Sequence, residues 1–199
     1  MPEEVVTIEK MSYGSDAIAH ASDGKTLFVQ GGVPGDKVSV KRIEEKKSYD
    51  RVCVSAIIEP SSDRLDRKDF PQCVAECGGC PWAYMSYDAQ LAHKTSLVKE
   101  ALTRGAKMAF DEVDSIVKPC LPSKNKWHYR NKIELSASHN ASGKLVLGFH
   151  EQGSEKLFGP SDCPLGHEKL SSAMPALQGA LRFLEKDGDL GISRVGVRA

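Results

Sequence analysis

The sequence has 199 residues, with 27 Lys and Arg against 27 Asp and Glu, so its formal net charge is zero. Hydrophobic residues make up 40% and charged residues 27%, ordinary values for a folded protein, which excludes wholesale disorder and fibrous classes. No uninterrupted apolar run approaches the roughly 20 residues of a membrane helix, and the acidic start is unlike a secretory signal, so a cytoplasmic chain with no membrane partner is expected. The length suits one domain or two small ones.

The first sixty residues read as short strands between turns. Val5–Ile8, Ala17–Ala19 and Thr26–Val29 are rich in strand formers, and Ser22-Asp23-Gly24-Lys25 marks a turn. Val33-Pro34-Gly35-Asp36 is a second turn, in which Pro presets φ and Gly tolerates a positive one. Lys37 to Ile43 then alternates, with Val38, Val40 and Arg42 on one face and Lys37, Ser39, Lys41 and Ile43 on the other. A last strand runs from Arg51 to Ile58. About five strands in so short a stretch predict a small closed or nearly closed OB-like barrel, an arrangement that hides sheet edges.

A polar stretch from Ser61 to Asp69 leads to the cysteines. Beyond them, Ser86 is a natural N-cap for a helix that continues to Gly105. Past Pro122, Lys132–Ala137 pairs with Leu145–Phe149 across a turn at His139 to Gly143. A helix follows over roughly 167–186, broken or kinked at Pro175, and Ile192–Ala199 reads as strand. The expected fold is mainly β, with residues 1–60 as the barrel and 61–199 as a second, α+β domain.

Local charge departs from the neutral total. Residues 37–51 contain six basic and three acidic side chains, and 120–160 have the same balance. From composition alone, a solvated face is the ordinary account of such runs. Tyr49, Trp127 and Tyr129 lie nearby, and aromatic rings interleaved with cations suit nucleic acid.

Cys73, Cys77 and Cys80 place three thiols within eight residues. In a reducing compartment such a cluster points to metal rather than disulfides. Gly78 and Gly79 let the backbone wrap closely around sulfur, as an iron–sulfur cluster requires. Cys163, in a turn-like Asp162-Cys163-Pro164 context, is the best fourth ligand, whereas Cys53 alternates within a strand and Cys120 lies between prolines. Either a 4Fe-4S cluster or a zinc ion can take four thiolates. The C-x3-C-x2-C spacing is shared with radical enzymes that bind S-adenosylmethionine (SAM). Those enzymes usually have an aromatic residue where Gly79 stands, and the 119 residues after Cys80 are too few for their barrel.

The ordered series Tyr13-Gly14, Val33-Pro34-Gly35-Asp36-Lys37-Val38, Cys77-Gly78-Gly79-Cys80, Trp127-His128-Tyr129-Arg130-Asn131-Lys132, Gly148-Phe149-His150 and Asp162-Cys163-Pro164 resembles the RNA (uracil-5-)-methyltransferases. The resemblance is to their iron–sulfur branch, which acts on 23S ribosomal RNA. It departs in one spacing: the family usually has five residues between its first two cluster cysteines, against three here. The resemblance implies an amino-terminal TRAM domain that binds RNA, then a segment whose Cys73, Cys77, Cys80 and Cys163 hold a structural 4Fe-4S cluster.

It further implies RNA phosphate contacts from Lys37, Lys41, Lys46, Lys47 and Arg51. Phe28 or Tyr49 would stack on bases, with barrel core the favoured alternative for Phe28. Arg130 and Lys132 are further RNA candidates, with bracing of the cluster fold as the alternative for Arg130. The family's catalytic domain carries a glycine-rich SAM site, a nucleophilic cysteine and a base, and no such pattern follows Cys163. These residues alone are therefore expected to be inactive, with SAM implied only alongside that domain. A stand-alone, non-catalytic RNA-binding module is the alternative reading.

Overall fold

The computed structural model describes residues 3–159 and 162–199, so Ser161, next to the turn expected at Cys163, lies outside the description. Two compact units interleave along the chain: Met1–Phe70 with Pro81–Pro122, and Pro71–Cys80 with Ser123–Ala199. Sequence alone suggests a single cut after residue 60. The architecture is mixed, a curled sheet with helices in the first unit and an antiparallel sheet with one long helix in the second.

The first unit contains β1 (Glu4–Thr7), β2 (Lys10–Met11), β3 (Ala17–His20), β4 (Thr26–Gln30), β5 (Lys37–Glu45) and β6 (Tyr49–Glu59), then α1 (Tyr87–Gly105) and α2 (Phe110–Ile116). Its sheet order is β1-β5-β6-β4-β3-β2. The two edge strands are successive pieces of one segment, separated only by Ile8 and Glu9, so the sheet curls back toward its own start. Alternation explains the inner face: Leu27 and Val29 of β4 and Val38 and Val40 of β5 are buried with Val6, Ile8, Ala17, Ala19 and Val52. Phe28 sits on the opposite face of β4, half-buried rather than in the core.

A buried carboxylate anchors the turn before β5. Asp36 is fully buried and accepts hydrogen bonds from the Val33 N–H at 2.7 Å, the Ser61 N–H at 2.8 Å and Arg64 Nη2 at 2.6 Å. Arg64 also donates to the Gly31 carbonyl, so both charges of the pair are bonded, the condition under which a buried ion pair persists. Gly35 has φ +90°, and a Cβ there would approach Ser61 Oγ to 3.0 Å, which reserves the position for glycine. Helix α1 begins where the sequence places it, with Ser86 Oγ accepting from the Ala89 N–H at 3.3 Å.

The second unit contains β7 (Lys132–His139), β8 (Leu145–His150), β9 (Leu157–Phe158), α3 (Glu168–Leu184) and β10 (Arg194–Arg198), with sheet order β10-β7-β8-β9. Ile133, Leu135, Leu145 and Leu147 of the sheet pack with Leu170 and Met174 of α3. The expected hairpin pairs Ser136 with Gly148 and His139 with Leu145. A Cβ on Gly148 would meet the Phe158 carbonyl oxygen at 2.1 Å, so only glycine lets β9 pair there. Of the break or kink expected at Pro175, the break is not found: α3 continues from Glu168 to Leu184 with Pro175 inside it. Packing of the apolar face of α3 on the sheet outweighs one absent N–H. Among the described residues, no helix is long and apolar enough to cross a membrane.

Candidate metal centre and nucleic-acid interface

All four cysteines singled out above belong to the second unit, and each is partly buried. A short 3-10 turn, Gln72–Ala75, carries Cys73, and fully buried Val74 pins it. The Cys77 N–H donates to the Cys73 carbonyl at 2.7 Å, while Cys77 bridges to Glu151 just past β8. The Gly79 N–H points at Cys77 Sγ, 3.3 Å away, the kind of backbone donor that stabilises a metal-bound thiolate.

The Cys163 loop is held from the other side. Pro164, Leu165 and Gly166 pair with the strand entrance around Arg130: the His128 N–H donates to the Pro164 carbonyl at 2.7 Å and the Arg130 N–H to the Leu165 carbonyl at 2.8 Å. His128 adopts φ +57°, uncommon for a non-glycine, and its ring Nδ1 lies 2.9 Å from the Gly166 carbonyl oxygen.

Electrostatics shows that these segments converge. Burial pushes the Cys80 thiol up to about 12; the charges of Cys77, Cys163 and Cys73 act in the same direction, and Arg130 opposes them. Burial also raises Cys73, with Cys77, Cys163 and Asp162 adding to the effect. Raised thiols at Cys80 and Cys73 are the kind that a bound cation would hold as thiolates, so this donor set fits a thiolate-bound metal. No three of the sulfurs lie within 4.8 Å of one another among the described residues. A single tetrahedral zinc, with Zn–S bonds of about 2.3 Å, would draw them to about 3.8 Å. Cys53 and Cys120 belong to the first unit.

On the first unit, a groove of about 620 Å³ runs along the outer face of the curled sheet, lined in part by Lys10, Tyr13, Phe28, Tyr49, Arg51 and Arg104. Phe28 and Tyr49 meet edge to face, with centroids 5.3 Å apart and planes at 86°. Tyr13 is 64% exposed. Arg51 pairs with Asp16 at 3.3 Å, and Lys10 and Arg104 both pair with Glu100, at 2.6 and 2.9 Å. Lys41 of β5 lies opposite Cys53, two residues along β6 from Arg51, and therefore shares its face.

The remaining basic candidates are dispersed. Lys37 pairs with Glu59 at 2.8 Å and Lys46 with Glu44 at 2.6 Å, the latter hydrogen bond raising the Lys46 ammonium. Lys41 and Lys47 are exposed and carry no ion pair among the described residues. Lys132, in the second unit, pairs with Glu134 at 2.8 Å. Arg130 contributes backbone pairing to the Cys163 loop and positive charge to Cys80. Lys10, Tyr13 and Arg104 were not foreseen as groove residues, because they come from β2, a turn and a helix with no shared periodicity.

No family model matches the chain. Among curated proteins, it is 30% identical over 195 residues to an uncharacterised RNA methyltransferase of Thermosynechococcus vestitus, covering 92% of this chain and 41% of that protein. It is also 30% identical over 181 residues to the 23S rRNA (uracil(1939)-C(5))-methyltransferase RlmD of Chromobacterium violaceum, covering 89% of this chain and 33% of that one. Among solved structures, the tRNA (uracil-54, C5)-methyltransferase of Pyrococcus abyssi, in complex with S-adenosyl-L-homocysteine, superposes with a TM-score of 0.65 at 19% identity. That likeness covers 97% of this chain and 42% of the archaeal one and extends to fold. The chain is homologous to the amino-terminal part of RNA (uracil-C5) methyltransferases and spans about 40% or less of the length of these curated relatives.

Proposed function

We propose that this chain is the RNA-recruiting part of a SAM-dependent 23S rRNA (uracil-C5)-methyltransferase. Residues 1–60 act as an OB-like TRAM barrel that grips RNA, and residues 61–199 carry a structural 4Fe-4S cluster on Cys73, Cys77, Cys80 and Cys163. The methyl transfer itself is assigned to the remainder of such a protein. The observation that carries RNA binding is the outward groove in which Phe28, Tyr49 and Tyr13 stand beside Arg51 and Lys10. Rings offer stacking platforms to any unpaired base, and the cations track phosphates. Lys41, Lys46, Lys47 and Lys37 extend that charge along β5 and its turn, and Lys132 adds a contact from the second unit.

For the metal centre, the raised Cys80 and Cys73 thiols, each acted on by Cys77 and Cys163, support ligation, and the 4Fe-4S assignment over zinc rests on the family resemblance. The bound cluster supplies a rigid four-thiolate crosslink. The protein's own part is to orient the Cys77 sulfur with the Gly79 N–H, place Arg130 near Cys80 and brace the Cys163 loop through His128.

The test is fluorescence anisotropy with the full chain and a single-stranded 23S rRNA fragment containing uracil. Phe28→Ala and Tyr13→Ala are each expected to weaken binding by about 1–3 kcal/mol, with unchanged circular dichroism. Wild-type failure to bind, or binding as tight as wild type by both variants, overturns the assignment of the groove.

A further inference from the structure

A second set of metal-type donors lies in the second unit, outside the cysteine segment. His139, Glu185 and Asp189 each offer a ligand atom, and the three atoms lie within 4.8 Å of one another. They come from three different places in the fold. His139 ends β7, where Asn140 Oδ1 fastens the hairpin turn by accepting from the Ser142 and Lys144 N–H groups. Glu185 follows the last residue of α3, and the Gly191 N–H, donating to Asp189 Oδ1 at 2.8 Å, orients the third donor.

An independent observation points to a missing partner. The Glu185 side chain is only 10% exposed; its Oε2 lies 3.3 Å from His139 Nε2, whereas its Oε1 is buried with no hydrogen-bond partner. Burying a carboxylate oxygen without a donor is unfavourable, and a cation at that position removes the penalty. The carboxyl end of α3 adds partial negative charge at the same place.

Lys144, Arg182 and Lys186 line the surrounding groove of about 680 Å³, but none forms an ion pair with Glu185 among the described residues. Arg182 Nε donates to the Leu145 carbonyl at 2.6 Å, and Lys186 Nζ lies 4.5 Å from the centroid of the Phe183 ring. A neutral imidazole and two carboxylates balance a dication, and that donor mixture suits first-row transition ions.

We propose that His139, Glu185 and Asp189 form a binding site for a divalent transition-metal ion, separate from the cysteine centre. Mn2+ is the probe, since it prefers oxygen and imidazole donors and discriminates against thiolates. Electron paramagnetic resonance of Mn2+ titrated into the full chain is expected to show about one bound ion. Glu185→Gln and Asp189→Asn should each weaken binding by at least tenfold while retaining wild-type circular dichroism, and Cys120→Ser, in the first unit, should leave it unchanged. The proposal is overturned if free Mn2+ is not depleted up to about 1 mM. It is equally overturned if the carboxylate variants bind like wild type, or if Cys120→Ser abolishes binding.

Discussion

The two units obtain their order from different sources. In the first, thirteen buried residues form one continuous apolar cluster, and Asp36 with Arg64 ties the turn before β5 to the chain leaving the sheet. In the second, the corresponding cluster has six buried residues, and the Pro71–Cys80 segment is held by backbone bonds, one buried valine and the surroundings of its thiols. The difference teaches that the sheet of the first unit is ordered by its own core and a buried ion pair, whereas the cysteine segment of the second is the part that the proposed metal would complete.

The largest expected effect tests that contrast directly. Cys80→Ser, or chelation of the metal, should abolish hydrogen-exchange protection across 71–80 and around Cys163 while leaving β4, β5 and β6 protected. Uniform loss across both units would break the comparison. Next in size, Asp36→Ala leaves Arg64 buried without its partner and should cost about 3–5 kcal/mol, read from denaturant unfolding of the first unit with metal content unchanged.

Gly148→Ala should cost the second unit about 1–3 kcal/mol, because the new methyl runs into the Phe158 carbonyl, and β9 should lose its exchange protection. A pH effect belongs to the first unit. The Lys25 hydrogen bond holds the Asp50 carboxyl below its ordinary range, aided by the Lys46 N–H and the Arg42 charge and opposed by desolvation. Its folded value is thus lower than its unfolded one, so the stabilisation is present above the unfolded value and disappears as pH falls through the folded one. Urea midpoints should begin to drop as pH falls into the ordinary carboxylate range and go on dropping below it, and Asp50→Asn should flatten that drop. The smallest effect is expected from Lys41→Ala, which should weaken RNA binding uniformly and reduce the salt slope by about one.

Much of the first unit was legible because period-two alternation reports burial directly: Leu27 and Val29, and Val38 and Val40, face inward as their pattern requires. Ser86 likewise marks the start of α1 through a local hydrogen bond. Short or long-range features were less legible. Strands β2 and β9, with two residues each, are too short for a period, and α2 buries only Val113. Pro175 suggested a break because a local rule gives no measure of how strongly α3 packs on its sheet. The cysteines could be grouped by spacing, but the joining of Arg130 to the Cys163 loop depends on pairing across more than thirty residues. The same limitation hid Lys10 and Arg104 beside Arg51, and Glu185 and Asp189 beside His139.

The most direct test of the cysteine centre is iron and acid-labile sulfide analysis of the anaerobically purified chain, wild type against Cys163→Ser. The wild type should contain about four iron and four sulfide per chain with a brown visible spectrum, and the variant should lose them. A colourless wild-type protein containing one zinc, or a Cys163→Ser variant with its full iron content, would contradict the account.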